Sequence, residues 1–234
     1  MIFSLFFTFY PRDSAARTSA ADVARAGEIV KAIPRLRRGI VYTPERAPDP
    51  YVEYPPPPQL ALQLYFDEIA ALEAAAGPRG ALQAFARSGA LPSVDMNGAA
   101  QQAMLARAFP VPDPVFRTPA GGAPCSDVIY YPGKAQDLNA WLAFYLESHV
   151  PLMQRLPGIR ELEIYTRIDW ISALPWQRLE YIQRNKVVFD DADAATAALQ
   201  SPIRSEMRAD FLRFPPFSDG NRHNPMATHV VVKP

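Results

Sequence analysis

The chain has 234 residues and 49% hydrophobic content, enough to build one large domain or two small ones around a buried core. Lys plus Arg and Asp plus Glu both total 24, so no net field draws the chain to nucleic acid or an anionic membrane. Cys125 is the only cysteine, which excludes an intrachain disulfide and every multi-cysteine zinc site.

The opening MIFSLFFTFY has no cationic start, and Ser4 and Thr8 interrupt its short apolar stretch. It therefore reads as a first strand over 2–10 rather than a signal peptide. No segment approaches the roughly 20 apolar residues of a membrane helix, and a cytoplasmic location is the expectation. A helix is predicted over 19–33, started by Ser19 or Asp22, with Val23, Ala26, Val30 and Ile33 on one face and Pro34 at its end. The basic run Arg35, Arg37, Arg38 reads as a solvated loop or strand edge. A short strand over 39–43 follows, then a proline-rich loop over 44–58 carrying Tyr51 and Tyr54, then an apolar strand over 60–66. Asp67 is expected to cap a helix through Ala76, Gly77-Pro78 to break it, 79–87 to resume helical spacing, and 101–109 to form a last strand.

The second half repeats this order. A strand over 127–131 ends in Tyr131-Pro132 and leads to DLNAWLAFYLESHVPLMQRLPGI at 137–159, around which the chain is organised. Leu138, Leu142, Tyr145, His149, Leu152 and Leu156 alternate at steps of four and three, so a continuous helix would turn one stripe to the core. Pro157-Gly158 then hands the chain to a strand over 161–168. Leu162, Ile164, Thr166 and Ile168 point one way along it, and Glu163, Tyr165 and Arg167 the other. A loop over 169–183 holds Trp170, Trp176 and Tyr181; a strand over 186–189, helices over 191–199 and 202–212, and a strand over 228–233 complete the chain.

Tyr131-Pro132 repeats Tyr10-Pro11, Pro157 repeats Pro34, and Phe189-Asp190 repeats Phe66-Asp67, at offsets of 121, 123 and 123 residues. Near-constant offsets argue for an internal duplication. The expected fold class is α+β: tandem ferredoxin-like βαββαβ repeats, 1–118 and 119–234, whose sheets pack face to face as an internal pseudo-dimeric α/β barrel. The first unit is degenerate at the position of His149, where it carries Ala26.

Trp141, Tyr145, His149, Pro151, Leu152, Pro157 and Gly158, with the strand behind them, form a pattern that resembles the EthD-like family. The resemblance is strongest over the second half. It implies the dimeric α/β-barrel fold and a small-molecule enzyme, with oxygenases, isomerases and cyclases among its relatives.

His149 is the candidate catalytic acid/base, since an imidazole on an apolar stripe titrates near neutrality and has limited hydration. The competing account is a core histidine satisfied by a backbone carbonyl. Trp141, Tyr145 and Tyr165 are candidate substrate-binding residues, and Trp170 and Trp176 could form an aromatic lid or simply pack. Pro151 within the helix frees the carbonyl of Glu147 and could open space beside His149. His223 and His229 show no spacing that suggests a metal site with His149. The leading reading is a cofactor-independent oxidoreductase of the monooxygenase kind, acting on a small apolar organic molecule, with a homodimer of the pseudo-dimer as its assembly. Alternatives are an isomerase or cyclase using the same base, a haem protein with His149 as axial ligand, and a non-catalytic small-molecule binding or assembly protein. No glycine-rich phosphate loop, nucleophile elbow or HExxH is present.

Overall fold

A computed structural model describes residues 1–13 and 15–233. In chain order it comprises β1 (Ile2–Phe9), α1 (Ala20–Lys31), β2 (Arg38–Pro44), β3 (Leu60–Phe66), α2 (Ile69–Ala76), β4 (Ala99–Phe109) and β5 (Cys125–Tyr131). There follow α3 (Leu138–Phe144), a π-helical turn (Tyr145–His149), α4 (Val150–Met153), β6 (Glu161–Arg167), β7 (Gln177–Arg178), β8 (Gln183–Phe189), α5 (Ala192–Leu199), α6 (Pro202–Phe211) and β9 (Arg222–Val232). Among the described residues no helix is long and apolar enough to cross a membrane.

The eight long strands close into an antiparallel barrel in the order β1-β3-β2-β9-β5-β8-β6-β4, and β4 pairs back onto β1. The two-residue β7 runs parallel to β4. Within the first half the order is β4-β1-β3-β2, and within the second it is β9-β5-β8-β6. The halves join through β2 with β9 and β4 with β6.

Strand alternation assigns each face. Leu60, Leu62, Leu64 and Phe66 of β3 meet α1 and α2 in one apolar cluster, while Ala61 and Tyr65 point into the barrel. A second cluster joins Ile129, Tyr131, Ile164, Val187 and Phe189 to α3–α6. Covered on both faces, these strands are buried along nearly their whole length, polar residues included.

The barrel interior is not purely apolar. Lys186 Nζ lies 2.6 Å from Glu161 and 2.7 Å from Glu163 and donates to Tyr65 Oη at 2.8 Å. Tyr65 and Tyr165 each donate to Glu163 at 2.6 Å, Gln63 donates to Tyr165, and Tyr42 donates to Gln63. Arg38 grips Glu161 with two hydrogen bonds. Burial, and then the Glu163 carboxylate, push the Tyr65 and Tyr165 phenols well up.

Buried polar residues on both faces of the sheet explain why apolar periodicity shortened two strands. β8 begins at Gln183 rather than 186, because Gln183, Arg184 and Asn185 are buried polar residues. β9 begins at Arg222 rather than 228, since His223 and Asn224 are buried too. Asp67 does not cap α2: the cap position is Glu68, and Asp67 accepts from Arg37 at 2.8 Å. Only Ala81–Ala84 of 79–87 is helical, as a single 3-10 turn.

Candidate functional site

The organising helix is not continuous. Its middle widens into the π turn, where the Val150 N–H bonds to the Tyr145 carbonyl, and Pro151 follows at the start of α4. Proline has no N–H to give the preceding turn, so a wider turn at this point accommodates it. The extra residue rotates the inward stripe. Trp141, Tyr145, His149, Val150, Met153 and Leu156 are buried, whereas Leu138, Leu142 and Leu152 are half-buried.

The turn aims His149 at α6. His149 Nδ1 lies 2.9 Å from Asp210 Oδ2, and the second Asp210 oxygen accepts from Ser148 Oγ. Burial lowers the imidazole to about 4, outweighing the carboxylate that would raise it. At neutral pH the pair is therefore a hydrogen bond from neutral Nδ1–H rather than an ion pair, and Nε2 is left with its lone pair. No hydrogen bond occupies that Nε2 among the described residues. Phe214 and Tyr145 flank the ring, each with its centroid 5.1 Å away.

His149 borders a cavity of about 40 Å³ between β5, β8, β9 and the helices. Ile129, Met153, Leu156, Val187 and Leu199 supply its apolar wall. The polar wall holds a second histidine–aspartate pair: His223 Nδ1 is 2.7 Å from Asp127 Oδ2, and Asn221 Nδ2 meets His223 Nε2 at 3.0 Å. Both nitrogens of His223 are therefore engaged, one by Asp127 and the other by Asn221. His149 is thus the member of the two with a free basic nitrogen.

Arg204 of α6 also borders the cavity and donates from Nε to Asp49 at 2.6 Å. Asp49 belongs to the proline-rich β2–β3 loop, and Tyr51 of the same loop stacks on the guanidinium at 5.3 Å. A loop from the first half therefore closes a cavity built in the second.

The other sequence candidates are dispersed. Trp141 and Tyr145 pack behind His149 with Tyr131, Phe214 and Phe217, and are not among the cavity's wall residues. Tyr165 lies inside the barrel, on the opposite face of the sheet, 2.7 Å from Gln63. Glu163 and Arg167 do not pair, because Lys186 takes Glu163 and Arg167 is exposed. Trp170 and Trp176 pack in the first half's apolar cluster, where Trp176 meets Phe7 and Phe9 edge-on, and neither covers His149. His229 sits on β9 facing Thr43. Periodicity missed Asp127, Arg204, Asp210 and His223. The available signal was a charged side chain in an apolar frame, as in CSDVIYY or on the Ile203, Met207, Asp210 stripe, since such charges require a partner. Among the described residues no group of three or more His, Cys, Asp or Glu is placed to hold a metal. Burial pushes the Cys125 thiol up to about 12, so it carries no thiolate at neutral pH.

No family model matches the chain, and no curated protein matches it. Solved structures match its fold. A provisionally assigned monooxygenase from Fusobacterium nucleatum aligns over 98% of this chain and 93% of its own, with a TM-score of 0.61 and 7% identity. An anthrone oxidase-like protein aligns over 98% and 92%, with a TM-score of 0.61 and 12% identity. A provisionally assigned chlorite dismutase aligns over 98% and 96%, with a TM-score of 0.50 and 10% identity. At these identities the likeness is one of fold. The chain shares the architecture of the dimeric-barrel monooxygenase-like group, the same fold to which the EthD-like resemblance pointed.

Proposed function

We propose that the protein is a cofactor-independent oxidoreductase of the monooxygenase type, in which His149 removes a proton from a small organic substrate. The observation that carries this reading is the neutral, buried His149 with Nδ1 held by Asp210 and Nε2 free at a cavity. A general base needs that combination of a fixed tautomer and an available lone pair. The substrate carbon would be made acidic by an adjacent carbonyl or aryl group, and the resulting carbanion would reduce dioxygen directly. Overall, a methylene group and one dioxygen become a carbonyl group and one water. Both methylene hydrogens and one oxygen atom leave as the water, the other oxygen stays on carbon, and no external reductant is needed. The names of two structural neighbours support the class.

The two halves are read as ferredoxin-like units, 1–118 and 119–234, derived by duplication; their matching strand orders support this. Ala26, buried on α1, stands where the second unit has His149, which makes the site single. A homodimer of the whole chain remains part of the reading.

A cavity of about 40 Å³ holds about three waters, well below the ~300 Å³ of a typical ligand site. The substrate must therefore displace the Asp49–Tyr51 loop on entry. His149, backed by a carboxylate, has the donor chemistry of an axial haem ligand. A porphyrin is many times larger than the space beside it, so the residues do not fit haem and no step is assigned to one.

Oxygen uptake with a panel of ketones from single-ring compounds to anthrone tests the reading, and no uptake with any of them overturns it. Proton abstraction without oxygen consumption would move the assignment to an isomerase or cyclase. Asp210→Asn should lower kcat by about 100-fold with little change in KM, because an amide no longer enforces the Nδ1–H tautomer. An unchanged kcat would remove Asp210 from the positioning of the base.

A further inference from the structure

The cavity's unpartnered atoms describe the ligand it takes. Asp127 is fully buried and its Oδ1 has no hydrogen-bond partner among the described residues; Asn185 is 1% exposed and its Oδ1 has none. Both residues line the His149 cavity. The second oxygen of Asp127 is occupied by His223, and the amide nitrogen of Asn185 donates to Tyr145, which leaves each orphan oxygen as an acceptor. A buried acceptor without a donor is costly, and two in one cavity call for donors from a guest. Arg204 borders the same cavity, and among the described residues its guanidinium hydrogen-bonds only through Nε, to Asp49, so its terminal amino groups are available as donors.

We propose that the substrate is a hydroxylated, enolisable ketone: its hydroxyl donates its one proton to Asp127 Oδ1, its carbonyl oxygen accepts from Arg204, and its apolar remainder lies on the Ile129, Met153 and Val187 wall. This rests on reading His149 as the base. It replaces the largely apolar ligand expected from the helix stripe by one with a donor at one end and an acceptor at the other. The arrangement also suits the chemistry. Arg204 borders the same cavity as His149, and a positive charge beside the carbonyl oxygen would stabilise the enolate formed as an α-proton leaves.

The test compares 2-hydroxy-1-phenylethanone with 2-methoxy-1-phenylethanone, which keeps the carbonyl and acidic carbon but cannot donate. Binding is measured by calorimetry without oxygen, so turnover plays no part. The wild-type protein should bind the hydroxyketone at least about tenfold more tightly, the effect of leaving a buried acceptor unmet. Asp127→Asn keeps shape and supplies an oxygen to His223, turning its NH2 toward the ligand. It should abolish the preference for hydroxyl while leaving methoxyketone binding within about twofold. Arg204→Gln should weaken both ligands, since they share the carbonyl. Equal binding of the two ligands by the wild-type protein, or binding of neither, overturns the proposal, and that comparison needs no variant to fold. Deuterium exchange at the ligand's α-carbon, compared between wild type and His149→Gln, separates the two readings. A hydroxyl preference without exchange removes the base and leaves the ligand class standing; exchange without the preference does the reverse.

Discussion

His149→Ala is expected to lower turnover by 10²-fold or more while the protein stays folded, within the ~10²–10⁴-fold range of general bases. The pH dependence adds a sharper signature. Because burial lowers the imidazole to about 4, the base form persists across neutrality. Activity should be flat from pH 6 to 8 and fall only as pH approaches about 4. An unperturbed histidine would instead show the fall near 6.5.

The same displacement acts on stability. In the unfolded chain His149 takes up a proton as pH drops below its ordinary 6.5, whereas in the folded chain it stays neutral down to about 4. Between those values the unfolded state binds more protons, so stability rises with pH across the window and is lost as pH falls through it. The full swing is about 3 kcal/mol for this nearly buried group. Chemical denaturation at pH 4 and pH 7 should show His149→Gln losing less stability on acidification than the wild type. Equal losses would mean that the folded imidazole titrates as it does in the unfolded chain, and the flat activity profile expected between pH 6 and 8 would fall with that result.

The fold was legible where burial is apolar and periodic. Tyr10-Pro11 and Tyr131-Pro132, the helix before Pro34 and the one before Pro157 occupy equivalent places in two halves with the same strand order. His149 stands out in the sequence as an imidazole among leucines, and the structure sets it beside a cavity. Its surroundings were not legible. Trp141, Tyr145 and Tyr165 share a helix face or strand with the right neighbours, but which sheet face borders a cavity depends on register and on what packs above it. The π turn is invisible to a 3.6-residue period and shifts the stripe by one residue. Asp210, Arg204 and Asp127 come from α6 and β5, and only the closed barrel brings them to one place. Asp49 and Tyr51 come from a distant loop, with Asp49 155 residues before its partner Arg204, a long-range contact that no local pattern encodes.

Lys186→Ala is the substitution with the largest expected cost to the fold, about 3–5 kcal/mol. The ammonium is fully buried between Glu161 and Glu163, and removing it strands two carboxylates inside the barrel. Glu161 keeps Arg38, while Glu163 keeps only the phenols of Tyr65 and Tyr165. Burial alone would push the Glu161 carboxyl up, but Lys186 and Arg38 outweigh it and hold it well below its usual 4.5. A carboxylate so depressed stabilises the folded chain above about 4.5, and that contribution is lost as pH falls and the unfolded carboxylate takes a proton first. Lys186→Ala removes one of the two cations responsible, so its stability should decline less steeply with acid than the wild type's. The pairing itself is read by a double-mutant cycle. Lys186→Met with Glu163→Gln removes both charges together and should recover most of the loss seen with Lys186→Met alone, because the cost lies in the stranded carboxylate rather than in the absent ammonium. If the double variant is as unstable as the sum of the singles, the two side chains act independently.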